Sequence, residues 1–294
     1  MLPKAGSLVD LGHDSFAVVG SEDDSVLGGY GANQAFILLE DSVLVFDSGL
    51  STFQARNLDQ KIHQLTDKKI RYLVNSHDHS DHVFGNSFFL KKYAIQGLRI
   101  ISHAVCRDRL VTDGPKRLAN YLGIPEMKQH LSTVEIQEAN ITYPDLGMKL
   151  EVEGTELVLS HPATGAHTLG DTALYLPKSG ITFTGDIVWN RFLPNLEDAN
   201  LEGWISYLED IDLSTYRKFV PGHGKVCGPE RVIEFRNYLK AVRANLLEID
   251  LTRKMNNDTS SLRACFQIPG TEKWKLRLIL DHNVNAIFVR KSGS

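Results

Sequence analysis

The chain has little of what builds a small secreted scaffold, a membrane protein or a nucleic-acid binder. Its three cysteines, Cys106, Cys227 and Cys265, are too few and too scattered for a disulfide framework. Cys227 follows closely on His223, but an inert buried thiol is the commoner state of a free cysteine, and it is read as one. No apolar run approaches the roughly 20 residues that span a bilayer. The opening MLPKAGSLVDLGHDSF has neither the apolar stretch nor the small-residue cleavage site of a secretory leader. A cytoplasmic location is expected, or a periplasmic one had a leader been removed, with no membrane partner. Charge of one sign is also lacking: 32 Lys and Arg against 36 Asp and Glu leave a net charge of −4, which gives no reason to expect nucleic acid. Low-complexity linkers and internal repeats are absent.

What is present is an alternation of short apolar runs and turn residues. The pattern predicts strands over Phe16–Gly20, Ala35–Leu39, Val43–Phe46, Ile70–Val74 and Arg99–Ser102. A second strand-rich stretch follows at Lys149–Val152, Glu156–Ser160, Thr172–Leu176, Ile181–Thr184 and Lys218–Val220. Helical spacing runs over Thr52–Leu65, from near Gly85 with Phe88, Phe89 and Tyr93 inward, and over Ala104–Leu122 with a break at Asp113-Gly114-Pro115. Asn200 can cap a further helix, and Pro229 opens a long one to about Arg253. The Gly-rich segment Ser21–Asn33 reads as a mobile hairpin tip, and Ala286–Arg290 as a terminal strand. The class is α+β, with residues 1–230 as the main domain and 231–294 as a C-terminal helix and short appendage packed on the same domain.

The densest chemistry is His77-Asp78-His79-Ser80-Asp81-His82, directly after the apolar run Ile70–Val74. Three imidazoles and two carboxylates in six residues build a core poorly and hold metal well. At this chain's own His and Asp frequencies, a chance H-x-H-x-D-H falls on the order of once per thousand such proteins. Three further candidates stand at strand ends beside glycine: His167 in Gly165-Ala166-His167, Asp186 in Gly185-Asp186, and His223 in Pro221-Gly222-His223-Gly224. Glycine there lets the backbone turn sharply and present the neighbouring side chain. A lone Gly-His or Gly-Asp pair is more often an ordinary turn; their order after the His-rich run is what singles these out.

That order resembles the metallo-β-lactamase-fold hydrolases over roughly residues 8 to 230. It is most similar to the branch typified by quinoprotein-associated and sulfur-oxidation-associated zinc hydrolases, whose ligand set glyoxalase II shares. The resemblance implies an αββα sandwich of two mixed sheets flanked by helices, with the site at one edge. It assigns one metal to His77, His79 and His167 and a second to Asp81, His82 and His223, with Asp186 bridging. It implies two zinc ions, with iron or manganese as alternatives, and a bridging hydroxide that attacks a carbonyl of a lactone, thioester or lactam-type small molecule. Asp81 would also orient the attacking group, and Asp47 would accept a ligand imidazole's other N–H. Asp78 would face the loop backbone. Penicillin-hydrolysing members carry Cys or Ser where this chain has Asp186, so a broader hydrolase than a dedicated β-lactamase is implied. The other activities that the fold offers are a mononuclear iron persulfide dioxygenase and a phosphodiesterase or nuclease.

Near the expected site, Asn190 and Arg191 beside Trp189 could contact substrate or pin their loop, and Tyr30 could close over the substrate from the Gly-rich tip. His13, His63, His103, His130, His161 and His282 lack the surrounding pattern and read as surface or core histidines. Asp198 reads as part of a cap region and Trp204 as a core anchor.

Overall fold

Up to Phe46 the apolar runs are short, and each forms an antiparallel strand. These are β1 (Ser7–Gly12), β2 (Ser15–Val19), β3 (Gln34–Leu38) and β4 (Ser42–Phe46). The computed structural model describes residues 6–20, 31–144, 146–252 and 259–292. Most of the Gly-rich tip, including Tyr30, lies outside them.

After β4 the connections lengthen into helices and the sheet turns parallel, because a parallel neighbour needs a crossover. Ser51 caps α1 (Thr52–His63) by accepting the Gln54 amide, and α1 leads to β5 (Lys69–Val74) beside β4. Then come α2 (Ser80–Val83), α3 (Asn86–Tyr93), β6 (Arg99–His103), α4 (Ala104–Leu122), α5 (Pro125–Leu131) and β7 (Ile141–Tyr143). The seven strands lie in sequence order, β1 to β7. The second sheet holds β8 (Gly147–Val152), β9 (Thr155–Ser160), β10 (Ala173–Leu176), β11 (Ile181–Trp189) and β12 (Lys218–His223), ordered β12-β11-β10-β9-β8. Only its β11–β12 pair is parallel. Around it lie α6 (Leu201–Asp210), α7 (Pro229–Thr252), α8 (Thr259–Cys265) and α9 (Ile279–Ser292).

Three apolar layers give the expected αββα sandwich. Ile37, Leu44 and Phe46 of one sheet meet Leu159, Leu174 and Phe183 of the other. Phe36, Val43 and Val45 on the opposite face pack against Ala55 and Leu58 of α1 and Phe89 of α3. Behind the second sheet, Ile187 and Val188 join Trp204, Phe235, Leu239, Phe266, Trp274 and Leu280. The residues after 230 therefore share a core with β11. Turn contacts also tie the sheets together. Glu153, in the β8–β9 turn, accepts the amides of Asp41 and Ser42 at 2.8 and 3.0 Å and the Ser42 hydroxyl at 2.7 Å.

Several local expectations are corrected. The helix over Ala104–Leu122 is unbroken although it contains Pro115. Pro115 leaves one carbonyl, that of Val111, without its helical donor; Val111 is on the exposed side, where water can serve it. Gly114 is buried, and a side chain there would press on Leu110 and Ile136. Phe88 is only half-buried. The His-rich run is not all loop, since Ser80–Val83 makes a helical turn. Strand β11 runs through Asp186 to Trp189, and β12 reaches His223 itself. The expected strand at Ala286–Arg290 lies within α9, whose buried Leu280, Asn283 and Val284 recur at helical spacing.

Candidate metal centre

The parallel strands β4, β5, β11 and β12 end at the same edge of the sandwich, and their ends supply the site. Asp47 leaves β4 with φ of 61°, a left-handed conformation that costs a non-glycine residue energy. That turn aims its carboxylate across β5. Oδ1 accepts the Ser76 amide at 2.7 Å, and Oδ2 accepts the Ser76 hydroxyl and the Nδ1–H of His82, both at 2.7 Å. Nδ1 of His77 meets the Ser76 hydroxyl at 2.9 Å. With both Nδ1 atoms so engaged, His77 and His82 turn Nε2 inward, the atom that would ligate a metal.

His79 is turned the other way. Its Nε2 contacts Asp198 Oδ2 at 2.9 Å, so Nδ1 faces inward, 2.9 Å from Nε2 of His167. Asp186 lies between the two groups of imidazoles. Its Oδ2 is 3.2 Å from His167 Nε2 and 3.8 Å from His77 Nε2, while Oδ1 is 3.2 Å from His82 Nε2 and 3.5 Å from His223 Nε2. Asp81 Oδ2 is 3.3 Å from His223 Nε2. Ligand-type atoms of His77, His79, His167 and Asp186 form one cluster and those of Asp81, His82 and His223 another, each within 4.8 Å.

The donor chemistry fits cations at both clusters. Nε2 of His77 and of His82 and Oδ1 of Asp186 are buried without a hydrogen-bond partner among the described residues, a costly state that a bound cation relieves. The charge distribution agrees. Burial and the neighbouring His82 hold His77 well below the usual imidazole range, and burial takes His167 down to about 3 in spite of Asp186. Burial opposes the charging of His82 and His223 as well. Asp186 and Asp81 outweigh it, pushing His82 well up and His223 up to about 9. Asp186 stays well below the usual carboxylate range, because His223, His82 and His167 overcome its burial.

Glycine makes room for this packing at two points. A Cβ on Gly222 would meet Oδ1 of Asp186, and one on Gly185, at φ of 49°, would meet the Ser76 side chain. Trp189 stacks on His223 with ring centroids 4.2 Å apart and donates its indole N–H to the Asp186 carbonyl at 2.8 Å. Trp204 is fully buried, edge-on to His167.

Two readings are corrected here. Asp198 is more than part of a cap region: it receives His79 and, through Oδ1, Arg109 at 2.9 Å. Asp78 does not merely face the backbone. It is fully buried between Arg109 and Arg117, and Arg117 also donates to its carbonyl at 2.7 Å. Neither pair is legible in sequence, because α4 brings the arginines from more than 30 positions away. Asn33 is hidden for the same reason, whereas Asp171 is a local partner, three and five positions from the amides it holds. Asn33 donates to the carbonyls of Pro221 and Gly224 at 2.7 Å, holding the His223 turn. Asp171 accepts the Ala166 and Thr168 amides beside His167 and is pushed up to about 7 by burial, against its Thr168 hydrogen bonds. Asn190 donates to the Lys225 carbonyl at 2.8 Å, and the exposed Arg191 gives its carbonyl to the Lys275 amide. Neither lines the cavity above the cluster, whereas His282 does, 3.0 Å from Glu197. The other five histidines stay outside the cluster; His103 and His161 stack on each other at 3.7 Å.

A family model of the metallo-beta-lactamase superfamily matches residues 27–223, from the Gly-rich tip to the last histidine of the cluster. The chain belongs to the metallo-beta-lactamase superfamily. Among curated members of the superfamily it is 24% identical over 223 residues to the beta-lactamase-like protein 2 homolog of Caenorhabditis elegans, covering 76% of this chain and 65% of that protein. It is 23% identical over 225 residues to the linear primary-alkylsulfatase of a Pseudomonas strain, covering 66% of this chain and 42% of the relative. The chain thus spans less than two thirds of either curated relative. Solved structures share the fold. A metallo-beta-lactamase from Pontibacter korlensis superposes with a TM-score of 0.62 at 15% identity, over 80% of this chain and 99% of its own. A double mutant of the sec-alkyl sulfatase PisA1 does so with a TM-score of 0.70 at 19% identity, over 98% of this chain and 50% of its own. The second match takes in the C-terminal helices as well. Hydrolases are thus among the relatives, and the matched residues include the His/Asp cluster that could hold metal.

Proposed function

We propose that this protein is a dinuclear zinc hydrolase acting on a carbonyl-centred small molecule such as a lactone, thioester or lactam. The observation that carries the reading is the placement of Asp186, each of whose oxygens faces a different set of imidazoles. His77, His79 and His167 would hold one ion, Asp81, His82 and His223 the other, and Asp186 would contact both. Zinc at these residues supplies Lewis acidity and an activated water at neutral pH. Asp47 and Asp198 keep His82 and His79 turned so that the correct ring nitrogen faces inward. The Asp81 side chain is 11% exposed and lines the cavity, so we assign its second oxygen to orient the attacking water and accept its proton. A cavity of about 620 Å³ above the cluster suits a small molecule. The three free thiols support a reducing, cytoplasmic setting.

The test is to purify the protein, count its metals, and screen lactone, thioester, lactam, phosphodiester and sulfate-ester substrates. Two zinc ions per chain are expected, with the best activity abolished in His79→Ala and Asp186→Ala while circular dichroism is unchanged. A single iron with oxygen uptake, or undiminished activity in both variants, would overturn the reading.

A further inference from the structure

The cavity above the metal cluster has two unlike walls. One belongs to α4 and carries Arg109, Lys116 and Arg117. The other belongs to the C-terminal segment and carries Leu276, Leu278 and Ile279. Cations usually signal an anionic ligand, but here two of the three are already engaged. Arg109 pairs with Asp78 and Asp198, and Arg117 with Asp78. Beyond the metal ligands, the carboxylates of Asp113, Glu197 and Asp198, with the buried Asp78 behind the two arginines, balance the three cations and His282. The polar wall thus has no surplus charge with which to select an anion.

The apolar wall is built with more constraint. Leu278 is 60% exposed although it faces the mouth of a cavity, and Leu276 beside it is held at φ of 60°. A leucine in the left-handed region persists only where its surroundings fix it. They do so through a short parallel bridge to the segment that follows the strand carrying Asp186. The Lys275 amide donates to the Arg191 carbonyl at 2.9 Å, and the Leu193 amide to the Lys275 carbonyl at 3.0 Å. Arg191, on the other side of the bridge, also has positive φ, at 58°. One turn into α9, the buried Asn283 accepts the Leu196 amide at 2.8 Å and donates to the Pro194 carbonyl at 2.9 Å. The segment is therefore clamped at both ends to residues 191–196, which lead directly from β11 to Asp198. An exposed leucine lining the metal-site cavity, in a segment anchored on either side and opposite a charge-balanced wall, fits an apolar ligand group.

We propose that residues 276–279 are the specificity-determining wall of the cavity and that the substrate carries an uncharged alkyl or acyl chain there, next to the bond that is cleaved. This rests on the hydrolase reading above.

The experiment uses the full chain loaded with zinc, titrated calorimetrically with straight-chain carboxylates from acetate to octanoate. Each added methylene should tighten binding about two- to fourfold, the range for partial to full burial of a CH₂. Leu278→Gln, and Leu278→Gln combined with Ile279→Thr, should flatten that progression and leave acetate binding and zinc content unchanged. Ile95→Gln, at a fully exposed position away from the cavity, should retain it. Zinc uptake with a flat series, or an undiminished progression in the double variant, would overturn the inference and leave the hydrolase reading standing. An equal loss in Ile95→Gln would overturn it too, as non-specific adsorption. Failure to take up zinc with the progression intact would instead count against the metal reading alone.

Discussion

Asp198 Oδ2 stands 2.9 Å from Nε2 of His79, across 119 positions of chain. The other oxygen of Asp198 holds Arg109, and Arg109 holds the buried Asp78 within the His-rich run itself. A loop from the second sheet and a helix of the first thus converge on one ligand. Burial opposes ionisation of Asp198, but His79 and Arg109 keep its pKa well below the ordinary carboxylate value.

Asp198→Ala should weaken metal binding by about 10–100-fold, the usual effect of losing the group that orients a ligating imidazole. The loss should fall on the ion that His79 would hold, because His82 of the other cluster is oriented separately through Asp47. A chelator competition that resolves the two equivalents checks this; equal weakening of both would contradict the independence of the two supports.

Gly222→Ala should abolish most of the activity without unfolding the protein, because the added methyl falls on the Asp186 carboxylate. Asp186→Asn, which keeps the shape but loses the charge, should bind fewer zinc ions than the parent. Mass spectrometry under native conditions and a melting curve separate the two effects.

Zinc uptake should release protons. Burial disfavours the charged imidazole of His223, but Asp186 and Asp81 raise it to about 9, so it is protonated at neutral pH until metal displaces the proton. The raised value also sets a sign for the metal-free protein. This pair's contribution is full below about pH 6.5 and is lost as pH rises through about 9. Calorimetric titrations in two buffers of different ionisation heat, and melting of metal-free protein from pH 6.5 to 9.5, check both.

Asn283→Ala should lower stability by about 1–3 kcal/mol, because it leaves the Leu196 amide and the Pro194 carbonyl buried without their partner. It should also reduce zinc affinity, since residues 194–196 lead into Asp198. Thermal melting with and without zinc distinguishes a local from a coupled effect.

Glu153→Ala should cost about 1 kcal/mol at neutral pH by releasing the turn of the first sheet from that of the second. Partial burial disfavours the charged carboxylate, but the Ser42 hydroxyl and the Asp41 and Ser42 amides draw its pKa below the ordinary 4.5. Its contribution is therefore present above about pH 4.5 and fades as pH falls through the lower folded value. Melting of both proteins at pH 7 and pH 3.5 should show a gap that closes in acid.

What the sequence determined by itself was local. The run His77–His82 needs no partner to be dense in ligand atoms, and glycine beside His167, Asp186 and His223 marks backbone that must turn sharply. Strand and helix periodicity likewise placed most elements, failing where a neighbour decides. Pro115 is carried in an unbroken helix because Val111 lies on its exposed side, and the apolar run at Ala286–Arg290 became helix because Leu280, Asn283 and Val284 found a core. What only the tertiary structure decided was the set of long-range pairings: Asp198 on His79, the arginines of α4 on Asp78, Asn33 on the His223 turn, and Leu276–Ile279 over the cavity. Each joins residues whose spacing along the chain has no period and no motif. Their meeting depends on which strand ends share an edge of the sandwich, and that edge is fixed by the packing of the two sheets against each other.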